Sequence, residues 1–158
     1  MKRVFLLTLV FSIAVVCTAT AARKGPISST TAAKCPVCGM FVAKYKDWAG
    51  EIIFNNSEII YFDGPKDLFR FYLDPGKYGS SKKRGEIAAV YVKDYYSLAF
   101  IDGRRAFYVI GSDVLGPMGK ELVPFAKRED AEGFLKDHGG KRVLGFGEIT
   151  SATLKSLE

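Results

Sequence analysis

A chain of 158 residues holds one ordinary domain or two very small ones. With 48% apolar and 25% charged residues it has the make-up of a globular protein, which excludes a disordered or collagen-like chain. The formal charge of +6 is interleaved with acidic residues, and the basic runs at 44–46 (KYK) and 80–85 (SSKKRG) fall in expected loops. The excess therefore reads as a solvated surface rather than a nucleic-acid face.

The first 22 residues, MKRVFLLTLVFSIAVVCTATAA, have the build of an export signal. Lys2 and Arg3 open it, Val4 to Val16 form a short apolar run, and small residues follow where signal peptidase cuts. Cleavage near Ala21 or Ala22 makes residues 1–22 a signal peptide and a periplasmic location the expectation. Removing Lys2 and Arg3 lowers the charge from +6 to +4. Lipoprotein signals also end their apolar run with a cysteine, but after a small residue. Val16 precedes Cys17, so Cys17 is expected to leave with the signal, and membrane association through a lipidated Cys17 is the alternative. Residues 23–34 are small and polar, a flexible lead-in.

Residues 35–76 read as a first α+β unit. It opens with a cysteine motif, followed by two apolar runs around Asn55, Asn56 and Ser57, a hairpin signature. Asp63 then offers a helix cap, Pro65 a helix start, and Leu68, Phe69 and Tyr72 a helical face that Pro75-Gly76 ends. Residues 77–86 are a loop rich in Gly, Ser and Lys. Residues 87–150 read as a second unit: AAVYVKDYY, SLAFID and RAFYVIG as strands, with Gly103-Arg104 as a turn. ELVPF is a further strand, REDAEGFLKDH a helix stopped by Gly139-Gly140, and KRVLGFGEI a closing strand. Residues 151–158 are left as a C-terminal tail.

Glu58 to Asp74 aligns without gaps to Glu121 to Asp137, matching Phe62 to Phe125, Asp67 to Asp130 and Phe71 to Phe134. Each copy is a strand leading into a helix. The expected fold is α+β, with two small related ββα-type units that pack together or swap strands to bury twelve Phe and eight Tyr.

The string KCPVCGMFVAKY carries the chemistry. Cys35 and Cys38 stand two residues apart, close enough to share a metal or a disulfide. Met40 adds a thioether, and a soft sulfur set of this kind favours Cu(I) over hard cations. Gly39 lets the chain bend sharply between them. Three other readings stay open. One is a structural disulfide, natural in an oxidising compartment. A zinc knuckle is a second, although the mature chain offers only two Cys and the single His138 against the four ligands zinc wants. The third is a thiol-disulfide enzyme, since CPVC has Cys-Pro-x-Cys form. Against the third, the residues after the motif (Phe41, Val42, Tyr45) are β-prone and show no helix start.

CPVCGM near the mature N-terminus, YFDG before a short helix, and the later MGKELVPFAKREDAEGFLKDHGGKRVLGFGEI together resemble the NosL family over about Lys34 to Ile149. The resemblance implies a copper carrier that serves assembly of nitrous oxide reductase, often as a lipoprotein. It also implies a fold of two small α+β units related to the helper domain of organomercurial lyase. Cys38 is then the thiolate ligand of Cu(I), Met40 a thioether ligand, and Met118 in GPMGKE a further methionine that completes the site. Cys35 is an extra cysteine that ligates or forms a redox-gating disulfide with Cys38. The partner is a copper-acceptor enzyme or its assembly machinery, and a homodimer sharing the ligands is open.

Other residues read more plainly. Met118 sits between Pro117 and Gly119 in a loop, where an exposed methionine is the alternative to a ligand. His138 ends a predicted helix, as a cap. Asp63 reads as a helix cap, and Trp48, Tyr95 and Tyr96 as packing residues. No nucleophile elbow or phosphate-binding glycine loop points to an enzyme.

Overall fold

The computed structural model describes residues 32–158. The signal, Cys17 and most of the lead-in lie outside the described residues.

The hairpin forms where Asn55-Asn56-Ser57 stand. β1 (Gly50–Phe54) and β2 (Ile59–Phe62) pair antiparallel. Phe54 N–H donates to the Glu58 carbonyl, Ser57 N–H donates back to Phe54, and Ser57 closes the turn at φ +67°. This is a three-residue loop ending in a left-handed residue, a common way to join right-twisted strands. α1 (Pro65–Leu73) follows at once, with Pro65 in its first turn. It buries Leu68, Phe69 and Phe71 and stops before Pro75.

β3 (Ile87–Lys93) turns Val90 and Val92 into the core and runs antiparallel to β1; β4 (Phe100–Asp102) pairs with β3. The first sheet thus has the order β2-β1-β3-β4, and it takes strands from both sides of the 77–86 loop. The second sheet begins after the turn that Gly103-Arg104 predicts. β5 (Phe107–Ile110) is its centre. A two-stranded ribbon of β6 (Leu115–Gly116) and β7 (Gly119–Lys120) follows, then β8 (Val123–Phe125), α2 (Arg128–Asp137) and β9 (Arg142–Gly145). The order is β8-β5-β9. Pro124, which has no N–H to give, lies on the edge strand of that sheet. The molecule is therefore a mixed α+β fold of short sheets and helices.

Residues 151–158 include a short helix, α3 (Ser151–Lys155), where the sequence suggested only a tail. The Thr150 hydroxyl caps it, and Leu154 and Leu157 are buried beside α1. The main core joins the two sheets: Phe69 of α1 meets the ring of Tyr108 from β5 edge-on, with centroids 5.1 Å apart, and the Tyr108 hydroxyl donates to the Gly103 carbonyl. A smaller cluster of Val109, Val123, Phe125, Ala131 and Phe134 fixes α2 to the opposite face of the second sheet.

Candidate metal centre

Cys35 and Cys38 lie in one tight turn. A single bridge joins Lys34 and Phe41, Cys35 N–H donates to the Met40 carbonyl at 2.9 Å, and Gly39 N–H donates to the Cys35 carbonyl at 2.9 Å. Gly39 adopts φ +77°, the left-handed conformation its place in the motif predicts. The chain then enters a 3-10 turn, Val42–Tyr45, although these residues are β-prone. Val42 is fully buried, and its N–H is used by Ala33, so tertiary packing overrides propensity here.

The turn faces the junction of β2 and α1. Cys38 Sγ lies 3.4 Å from Asp63 Oδ2, and Cys35 Sγ lies 3.6 Å from Asp67 Oδ2. One donor atom from each of Cys35, Cys38, Asp63 and Asp67 falls within 4.8 Å of the others. Cys35, Asp63 and Asp67 are buried, and Cys38 is half-buried. Arg70 Nη1 holds Asp67 Oδ1 at 2.9 Å, which leaves Oδ2 to face Cys35. Asp63 Oδ1 is buried with no hydrogen-bond partner among the described residues. The cluster is able to hold a metal ion.

Asp63 is not the helix cap its position suggested. Gly64 occupies the cap position of α1, and no side chain caps it. The reason is the thiol, which engages Asp63, and the lack of room: a Cβ on Gly64 would come within 2.8 Å of Glu121 Oε2.

Burial is the main influence on both thiols. It pushes Cys38 up to about 11, with the neighbouring carboxylates adding to the shift and the Met40 backbone amide opposing it. Burial, with Asp63 beside it, drives Cys35 up further. A thiol-disulfide enzyme needs the opposite, a stabilised thiolate, and its motif opens an α-helix. Here the thiols are raised, both are free, and a 3-10 turn follows the motif. These features oppose the thiol-disulfide and structural-disulfide readings.

Met40 is half-buried in the same turn. Met118 is exposed, between β6 and β7. Its carbonyl accepts from Lys66 Nζ at 2.6 Å, as does that of Lys120, so the β6–β7 turn is tied to the first turn of α1 beside Asp67. Glu121 completes the tie by accepting from Lys66 N–H at 2.6 Å and Leu122 N–H at 2.9 Å; burial nevertheless pushes it up to about 8. His138 ends α2, stacks on Phe134 and meets Asp113 at 2.9 Å, and is not among the cluster's donors. Asp63, Asp67, Lys66 and Glu121 were not singled out as site residues from sequence. The signals for Asp63 and Asp67 were the YFDG string and the carboxylate spacing of 63 and 67.

A buried thiol–carboxylate cluster at the β2–α1 junction of a small α+β fold is the site of a metal-binding protein, and its raised, free thiols do not suit a thiol-disulfide enzyme. The profile of the NosL family matches residues 26–154, and the chain belongs to that family. The copper-binding lipoprotein NosL of Stutzerimonas stutzeri is 29% identical over 138 residues, 82% of this chain and 68% of that protein. The copper-binding lipoprotein NosL of Achromobacter cycloclastes is 44% identical over 54 residues, 34% of this chain and 28% of that protein. The crystal structure of the copper chaperone NosL from Shewanella denitrificans has a TM-score of 0.64 and 30% identity, covering 85% of this chain and 96% of that one.

Proposed function

We propose that this chain is an exported Cu(I) carrier that hands copper to a metalloenzyme such as nitrous oxide reductase. The observation that carries the reading is the pair of free thiols, Cys35 and Cys38, brought together in one turn with buried donors beside them. Cys38 binds Cu(I) as thiolate, Met40 and Met118 serve as weaker thioether partners, and Cys35 adds a second sulfur. Soft sulfur donors select Cu(I). A low-coordinate site holds the ion yet leaves a position open, so an acceptor's ligand enters before the old ones leave. The tie from Lys66 to the Met118 carbonyl favours a role for Met118, because it fixes that turn beside α1. The signal-like residues 1–22 and the lipoprotein relatives support a periplasmic location, with or without a lipid anchor.

We further read the chain as two related halves. β1, β2, α1 and β3 correspond to β5, β8, α2 and β9, with the first strand of each set in the centre. Phe62 and Phe125 end equivalent strands and Phe71 and Phe134 sit on equivalent helices, all four buried.

An anaerobic Cu(I) titration of the reduced chain against a competing chelator tests the function. Near-stoichiometric binding, weakened by Cys38→Ser and by Met40→Ala, is the expected result. One copper per chain indicates a site within one molecule, and one per two chains a shared site. Wild-type affinity in Cys38→Ser would remove the carrier reading.

A further inference from the structure

Glu58 and Glu121 are matched in the internal repeat, yet the fold treats them differently. Glu58 is exposed and pairs with Lys82 at 3.5 Å. Glu121 follows the β6–β7 ribbon directly and is 3% exposed. A strand–helix unit therefore does not need a buried carboxylate at this place, and burying one is costly unless its oxygens are engaged.

The engagement is with α1. Gly64 offers that helix no side chain as a cap, so its first N–H groups need acceptors from elsewhere. Glu121 Oε1 accepts from Lys66 N–H at 2.6 Å, where the helix dipole favours a negative charge. The Lys66 ammonium reaches back to the Met118 and Lys120 carbonyls, each at 2.6 Å. Helix and ribbon thus hold each other reciprocally. Two glycines make room for this clasp. A Cβ on Gly116, in β6, would meet Glu121 Cγ at 2.8 Å, and one on Gly64 would meet Glu121 Oε2 at 2.8 Å and Pro117 Cδ at 3.4 Å. The Glu121 side chain therefore runs from the first arm of the ribbon to the start of α1.

Met118 lies inside the clasp. Pro117 rests near Gly64 on one side of it, Lys120 and Glu121 are held on the other, and its own side chain is exposed. A lysine ammonium on a flexible stem can follow the carbonyls it binds. The carboxylate cannot, because the backbone N–H groups of Lys66 and Leu122 both donate to its Oε1. On a loose ribbon, binding would have to order the backbone as well as the thioether, and the lost entropy would lower Cu(I) affinity.

We propose that Glu121 is the positioning residue for Met118: it seats the ribbon on α1 and so presents the thioether to Cu(I). This rests on the reading of Met118 as a copper ligand.

Glu121→Ala and Glu121→Gln test it, since the amide keeps an oxygen for the Lys66 N–H and alanine keeps none. In the metal-free chain labelled at its methionine methyl carbons, the Met118 signal of Glu121→Ala should move towards the free-methionine position and narrow. The Met40 signal should stay, which also shows that the variant folds. Cu(I) affinity should fall roughly tenfold to a hundredfold in Glu121→Ala and stay near wild type in Glu121→Gln. In a Met118→Ala background, Glu121→Ala should weaken Cu(I) no further, a result that a general loss of structure would not give. Glu121→Asp, which retracts the oxygen by one carbon, gives the same readings should Glu121→Ala not fold. A Met118 signal that does not move, or a loss of affinity undiminished in the Met118→Ala background, overturns the proposal. Affinity lost in Met118→Ala but kept in Glu121→Ala removes the proposal alone. Wild-type affinity in Met118→Ala removes Met118 from the copper reading and the proposal with it.

Discussion

Both thiols of the cluster are protonated in the metal-free chain at neutral pH, since burial holds Cys38 near 11 and Cys35 higher still. A metal bound as thiolate must displace those protons. The apparent Cu(I) affinity should therefore rise about tenfold per pH unit for each thiol proton displaced. Competition titrations near neutral pH give the slope: about one if Cys38 alone ionises, about two if Cys35 joins it. The same shifts bear on stability. The folded thiols titrate above the ordinary value of 9.0, so their contribution is intact below pH 9 and falls above it, the Cys38 part being lost as pH rises through about 11 and the Cys35 part at still higher pH. The urea midpoint of the metal-free chain should fall between pH 8 and pH 10, and Cys38→Ser should reduce that fall. Gly39, at φ +77°, is a further residue-scale constraint. Gly39→Ala should cost about 1–2 kcal/mol, the strain of an L-residue in that region, read as a lower Tm. The cysteine pair, Met40 and Gly39 were legible because their chemistry lies within one short string. Asp63 and Asp67 were not, since their partners stand 25 and 32 residues away and only the fold closes that distance.

At the scale of elements, the tie between α1 and the β6–β7 ribbon gives a separate prediction. Lys66 is 2% exposed, and its ammonium donates to the carbonyls of Met118 and Lys120. Lys66→Met keeps the apolar stem but leaves those carbonyls without their charged donor, at a cost of about 2–3 kcal/mol. If the ribbon presents Met118 to copper, Cu(I) affinity should fall as far as in Met118→Ala, and the double variant should bind no worse than either. Full affinity in Lys66→Met would separate the ribbon from the site. The elements themselves were largely readable. Asn55-Asn56-Ser57 marked the hairpin and Pro65 with Pro75-Gly76 the span of α1, because turn and cap chemistry is local. The 3-10 turn at Val42–Tyr45 was not, because the burial of Val42 in a distant core decides it. The cap of α1 was misjudged for a related reason: Asp63 has a stronger use beside Cys38.

At the scale of the molecule, the first sheet draws β3 and β4 from beyond the 77–86 loop, and the main core runs from α1 to β5. Neither sheet is covered without the other. Unfolding should then be a single transition, with far-UV circular dichroism and the fluorescence of Trp48, which packs against the smaller cluster, giving the same urea midpoint. Separate midpoints would mean that the two clusters unfold independently. Phe69→Ala, at the junction with Tyr108, should cost about 3–5 kcal/mol. The internal repeat foretold paired strand–helix segments, but not which sheet each strand would join, because pairing across sheets is settled by contacts far apart in the chain.

The most direct test of the copper reading is X-ray absorption at the copper edge of the reduced, Cu(I)-loaded chain. A first shell of sulfur scatterers alone, reduced in number by Cys38→Ser, is the predicted result. A first shell of nitrogen or oxygen, or a sulfur shell unchanged by Cys38→Ser, would contradict it.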